Sequence, residues 1–378
     1  MNNPRITTVE WARLEGTRPR KAGCNARLGE HGSIVRVPLA RLTTEDGTTG
    51  WGRSAATPEQ MEQILGRRLA ELFTPEHGAT TLGLPFDLPL WDLAGQRAGV
   101  PVYRLVARAG WDAAQPLRAP CYDTSLYIDD LQVADDEEAA ALIADEARQG
   151  AARGHRSFKI KVGRGARHMG LAAGTRRDIL VIKAVRAAVG RAAVIMIDAN
   201  NGYNLNLAKQ VLAETADSSI FWLEEAFHED NVLYEDLRLW QRAHGLSVLI
   251  ADGEGYASPR LLDWARAGFV DVIQYDIFSY GFTPWLTLGR ELDQAGLRSA
   301  PHHYGGFYGN YAVAHLAAAI EKFTFAEWDE ASVPGVDTSA YAVQEGHVQV
   351  PNAPGFGLTL DEEHFQRALA ADGHRASL

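Results

Sequence analysis

Cysteine is nearly missing from this chain: Cys24 and Cys121 are the only two in 378 residues. They form no C-x-x-C pair and are too few for a disulfide framework. Positive charge is also in deficit. A net charge of −11 argues against non-specific binding to nucleic acid or to an anionic membrane as a main role. No apolar run approaches the roughly 20 residues needed to cross a bilayer. The opening "MNNPRITTVEW" has no basic region leading into an apolar one, so no secretory signal is expected. Low-complexity segments, heptads and phosphate-binding glycine motifs are absent too; "GRGARHMG", residues 163–170, matches neither G-x-G-x-x-G nor a P-loop. What remains is the expectation of a soluble, cytoplasmic protein that handles a small molecule.

The composition that is present, 46% hydrophobic and 22% charged, is ordinary for a globular chain. Its length exceeds what one core usually supports, unless one unit is a large α/β barrel with a smaller domain attached. Residues 5–53 read as strands with a hairpin turn at Glu45-Asp46-Gly47, and helices are expected over 58–73 and 87–98. Strands followed by helices make residues 1–116 an α+β unit. From about Leu117 the rhythm becomes strict alternation: "LRAPCYD", "HRSFKIK", "AAVIMID", "SIFWLEE", "LSVLIAD", "FVDVIQYD", "LRSAPH" and "FTFAEWD" are eight short apolar strands, separated by helical stretches. Continuous apolar strands of this kind imply a covered parallel sheet, and eight units over residues 117–345 imply a (β/α)8, TIM-like barrel.

In "SFKIKVG", Phe158, Ile160 and Val162 share one strand face, so Lys159 and Lys161 share the other. Two ammonium groups inside a barrel need partners. The strand ends supply them: Asp198, Glu224, Asp252 with Glu254, Asp276, His302 and Glu327. One acid at a strand end is commonly a helix cap or a loop start. A full ring at the C-terminal rim, where such barrels build their active sites, asks for chemistry. Asp198, Glu224 and Glu254 on three successive strands form an all-oxygen set suited to Mg2+ rather than zinc. Such an ion can hold a substrate carboxylate while its α-proton leaves. Lys161 is a candidate base, its pKa expected to be depressed by Lys159 and a nearby cation; His302, oriented by Asp276, is a second.

These motifs together resemble the enolase superfamily, in its mandelate racemase-like subgroup. "FKIKVG" is similar to the family's K-x-K strand; "IDANNGY", "WLEEAF" and "ADGEGY" to its metal-ligand strands; "IQYDI" and "APHHYG" to its Asp–His dyad; and "AEWDE" to its eighth-strand acid. The resemblance implies that residues 1–116 are a capping domain and that residues 346–378, with "VPNAPGFGLTLD", return to it. It also selects Glu254 over Asp252 as third ligand and His302 over His303 as dyad histidine. The activity it implies is acid-sugar dehydration of an aldonate or aldarate. Lys161 takes the α-proton, Lys159 tunes it, Glu327 stabilises the intermediate, and His302 protonates the departing β-hydroxyl. Racemisation, epimerisation or cycloisomerisation on the same parts are the alternatives, and a non-catalytic binding barrel is a third. A homo-oligomer is expected.

Arg18, Arg20, Lys21 and Arg27 lie in a glycine-bounded loop, residues 16–32. By themselves they suggest a solvated basic loop. In the family that loop closes over the barrel mouth, where cations would suit an anionic or polyhydroxylated substrate. Asn200 is expected beside the metal or the substrate. Arg164, Arg167 and His168 are weaker rim candidates, and Trp51 reads as core.

Overall fold

The computed structural model describes residues 3–112, 115–255, 257–304 and 306–378. Strands Ile6–Ala22, Gly32–Thr44 and Thr49–Arg53 pair antiparallel into the capping sheet. The turn between the last two is fixed by Asp46, which accepts from the Thr44 hydroxyl at 2.6 Å, and by Gly47 at φ 80°. Helix Asp87–Ala98 lies on this hairpin, so close that a Cβ on Gly50 would sit 2.4 Å from the Leu93 backbone. Trp51 is buried there, edge-on to Tyr308.

One helix was expected over 58–73; two short ones form instead, Pro58–Ile64 and Leu69–Leu72. Thr57 and Gln60 cap the first reciprocally. It ends because the strand competes for its backbone: the Gly66 N–H donates to Ile6 O, and Ile6 N–H donates to Arg67 O. Gly66, at φ 70°, makes the turn.

The barrel strands are Arg118–Leu126, Ser157–Lys161, Val194–Asp198, Ile220–Glu224, Leu249–Asp252, Val272–Ile273, Arg298–Ser299 and Ala326–Trp328. They pair parallel in chain order, and the eighth returns to pair with the first. A bridge between Ser299 and Phe323 joins the seventh to the approach of the eighth. Tyr122, Met196, Trp222, Ala251, Val272, Ala300 and Phe325 plug the interior, with Tyr122 and Trp222 perpendicular at 5.8 Å. With that floor filled, the polar strand ends above it form the site.

Past the barrel, His347–Gln349 pairs antiparallel with the foot of the first barrel strand. Helix Glu362–Asp372 and strand His374–Ser377 then join the capping sheet, with residues 374–377 against Thr8–Trp11. Among the described residues, no helix is long and apolar enough to cross a membrane.

Candidate active site

All five residues of strand Ser157–Lys161 are buried, and the pleat turns both lysines inward. Lys159 Nζ lies 2.6 Å from Glu224 Oε1, 3.5 Å from Asp198 Oδ2 and 3.7 Å from Glu327 Oε1. Lys161 Nζ bonds Asp198 Oδ2. Burial pulls both ammonium pKa values down, but the facing carboxylates outweigh it and hold both lysines protonated. Of the two expected influences on Lys161, that of Lys159 is present but outweighed among the protein's own groups. Lys159 does lower it, yet Asp198, in direct contact, raises it more.

Asp198, Glu224 and Glu254 each present an oxygen within 4.8 Å of the others. Glu224 also accepts from Trp222 Nε1 at 3.0 Å and Gln274 Nε2 at 2.9 Å. Burial, then the charges of Asp198 and Glu254, push Glu224 up to about 8 against the pull of Lys159. Three carboxylates this crowded call for a cation, and the all-oxygen donor set fits Mg2+. Asn200 completes the shell: its N–H donates to Asp198 and its side-chain amide to Glu254 and Glu225, while its Oδ1 is buried without a hydrogen-bond partner. Two-residue alternation would put residues 252 and 254 on one strand face. Gly253, at φ 124°, breaks the alternation, so Asp252 turns outward to the Tyr234 hydroxyl, while Glu254 joins the cluster.

Across the cluster, His302 Nε2 lies 3.1 Å from Glu254 and Nδ1 3.1 Å from Asp276. Asp276 is itself held by the Phe278 and Ser279 N–H groups. Burial would discharge His302; Glu254, Glu327 and Asp276 overrule it and raise the pKa to about 9. His303 is fully buried, its Nε2 2.8 Å from Glu327 O and its ring packed on Gly309, so it stays out of the cavity. Glu327 accepts from Thr124 and from His303 N–H, and Lys159 and His302 hold it well below the usual carboxylate range despite burial.

The stretch expected as one basic loop over 16–32 divides: Arg18, Arg20 and Lys21 belong to strand Ile6–Ala22, whose pairing with the next strand continues past Gly16, and only Arg27 lies in the loop after it. Arg18 is buried, ion-paired to Asp329 at 2.9 Å and set over the Tyr304 ring. Arg20 pairs with Glu146 at 3.1 Å, away from the cluster, and Lys21 with Glu30 at the surface. Arg27 is exposed and serves through its carbonyl, which accepts from Arg167. His168 holds Asn25 O in the same way at 2.7 Å. Arg164 is consumed by Asp130 and Asp178. Cys24 and Ile128 exchange two backbone hydrogen bonds, so loop 23–31 is pinned onto the barrel rim.

Sequence reading passed over four residues here. His31 ends the loop with its ring 4.9 Å from Tyr304 and 5.5 Å from Tyr127. Glu225, held at φ 41° and bonded by Asn200 and Asn201, is pushed up to about 10 by burial and by Glu254. The doubled acid of "WLEE" was its only signal.

A galacturonate dehydratase of Geobacillus sp., solved with D-galacturonate and 5-keto-4-deoxy-D-galacturonate, is 49% identical, covers 100% of both chains and superposes with a TM-score of 0.95. A mandelate racemase/muconate lactonizing protein from Geobacillus sp., solved with magnesium and tartrate, is also 49% identical over 100% of this chain and 98% of the other, TM-score 0.98. The arabinonate dehydratase of Saccharolobus solfataricus is 26% identical over 90% of this chain and 91% of its own. The model of the enolase C-terminal domain-like family matches residues 142–364. With that match covering more than half of its length, this chain is a member of the enolase C-terminal domain-like family.

Proposed function

We propose that the protein is a Mg2+-dependent acid-sugar dehydratase. Lys161 and His302 carry the reading: they reach the carboxylate cluster from two sides, one bonded to Asp198 and the other to Glu254. Asp198, Glu224 and Glu254 would hold the ion, which supplies electrostatic stabilisation for charge developing on the substrate carboxylate. Lys161 is charged while Asp198 faces it; with Asp198 committed to the ion it can shed that proton, and in its neutral form it removes the α-proton. The freed electron pair forms a C=C bond as the β C–O bond breaks, and the proton of His302 leaves with the hydroxyl as water. The resulting enol tautomerises to an α-keto acid. Lys159, fully buried and fixed by Glu224, offers a preorganised cation beside the reacting carboxylate. Glu327, expected to stabilise the intermediate, is held ionised as an acceptor and instead keeps Lys159 and His302 charged.

The regiochemistry agrees with the Geobacillus dehydratase. Counted from the carboxylate, the ketone of its 5-keto-4-deoxy product is α and the deoxygenated carbon β. We also infer a homo-oligomer, supported by Val232 and Leu239, 63% and 57% exposed on one helix, and measurable by light scattering. The activity is tested by incubating the protein with Mg2+ and an acid-sugar panel in D2O under proton NMR. An α-keto, β-deoxy product is expected; epimer interconversion without keto acid across the panel would replace dehydration with 1,1-proton transfer.

A further inference from the structure

The wall above Lys161 is built from His31, Tyr127, Tyr304 and, behind them, Arg18 with Asp329. His31 Nε2 is buried here without a hydrogen-bond partner, and the buried Tyr127 hydroxyl has only the neighbouring Tyr304 hydroxyl beside it. His31 is kept neutral: burial first, then the charges of Lys161 and Arg18, lower its pKa to about 4. The Tyr304 N–H donates to His302 Nε2 at 3.3 Å, and His31 packs edge-on to the Tyr304 ring at 4.9 Å, which places both beside the Asp–His dyad on the barrel rim. Asp329 cancels the Arg18 guanidinium through two contacts, 3.0 Å from Nε and 2.9 Å from Nη2. Arg20 and Arg153, which line the same small cavity as Arg18, Tyr127 and Asp329, are paired with Glu146 and Glu330. Both side chains of that pair are nearly sealed, at 6% and 4% exposure. The other cation of the cap near the rim, Arg53, stacks on Phe278 at 3.7 Å and lines a cavity of about 230 Å3 whose walls include none of the residues of this wall.

Resting on the dehydratase reading, we propose that this wall selects acid sugars with a single carboxylate. His31 and Tyr127 hydrogen-bond a neutral distal end, a hydroxyl or carbonyl, and Asp329 withholds Arg18 from any second carboxylate. A dicarboxylate placed here buries an anion beside a neutral imidazole, phenols and an ion pair that is already closed, which is strongly unfavourable. The wall therefore reads substrate through neutral groups, and Arg18, on the strand that leads into loop 23–31, is a masked charge.

The test compares D-galacturonate with galactarate, which differ only in the oxidation state of the distal carbon, by kcat/KM with Mg2+. Wild type should prefer the monoacid by roughly 100-fold, the scale on which a site rejects a group it cannot pair. Asp329→Asn keeps a hydrogen bond to Arg18 but unmasks its charge. It should shrink that preference at least about tenfold, and the double variant Arg18→Gln/Asp329→Asn should restore it. His31→Ala should raise KM for galacturonate roughly tenfold, the scale of one hydrogen bond, with kcat within about twofold. Equal wild-type rates on both sugars, an unchanged ratio in Asp329→Asn, or an unchanged KM in His31→Ala would overturn the proposal. Should Asp329→Asn fail to fold, His31→Ala and the wild-type ratio decide. If no acid sugar loses its α-proton to solvent in wild type, the dehydratase reading falls, and this proposal with it; turnover of both sugars without preference sinks the proposal alone.

Discussion

Replacing Gly202 with alanine tests whether loop 23–31 acts as a cover over Lys161. A Cβ at position 202 would lie 2.6 Å from Ala26 Cβ and 2.8 Å from Ala199 O, where 3.4–4 Å is ordinary contact. Ala26 is 1% exposed, so it has no room to yield except by lifting the loop. Overpacking of this kind costs about 1–3 kcal/mol. If the strain is relieved by opening the loop, the closed form is depopulated by the same free energy, and KM rises about 5- to 150-fold. Part of this is reversible by design. Ala26→Gly removes the shorter contact and leaves the carbonyl one, so the double variant should regain roughly half the loss, a coupling of about 0.5–1.5 kcal/mol. The assay is steady-state keto-acid formation on an accepted acid sugar, with melting temperature measured alongside. A double variant no better than Gly202→Ala, or a Gly202→Ala enzyme with wild-type KM, would refute the cover.

Lys161→Ala should abolish α-proton exchange with D2O while Mg2+ still binds by calorimetry; exchange at the wild-type rate would move the base to another residue. His302→Asn should keep exchange but lower keto-acid output by roughly 100-fold or more, read on the same NMR samples. Chelating divalent ions should stop keto-acid formation and lower the melting temperature, since an ion bound by Asp198, Glu224 and Glu254 stabilises the folded state alone. Glu146 predicts a pH effect. Burial lifts it from its usual 4.5 to about 8, with Arg20 opposing and Asp129 nearby, itself raised to about 6. A raised acid is neutral in the fold while already charged in the unfolded chain, so stability falls as pH climbs from about 4.5 to about 8 and levels off above. Glu146→Gln should flatten that decline in melting temperature, and an unchanged slope would count against it.

The barrel was legible because its signals are local. A strand of five residues fixes by alternation alone that Lys159 and Lys161 face away from Phe158 and Ile160, and each strand from the third to the eighth has its own acid or histidine at or just past its end. What escaped the sequence depends on partners far along the chain. Arg18 looks like a free cation until Asp329, 311 residues later, closes on it. His31 is unremarkable in a loop of charged residues and matters only because the loop docks beside Tyr127 and Tyr304. The helix over 58–73 failed for the same reason: Ile6 takes hydrogen bonds that helix propensity assigned locally. Asp252 and Glu254 show a third limit, since one glycine φ reverses what two-residue periodicity implies.

The pairing of residues 374–377 with residues 8–11 has a consequence for biogenesis. Arg375 grips Glu10 across 365 residues of chain, and Arg41 meets Glu362 from the same return segment. Emerging from a ribosome, the barrel would have every strand and plug residue in hand while the sheet that carries loop 23–31 still lacked its outer strand. Segments generally fold as they emerge, at about 5–20 residues per second. The order of synthesis therefore makes the mouth of the enzyme the last part to mature, and a nascent chain stalled before Glu362 would hold a formed barrel beneath an unfinished cover.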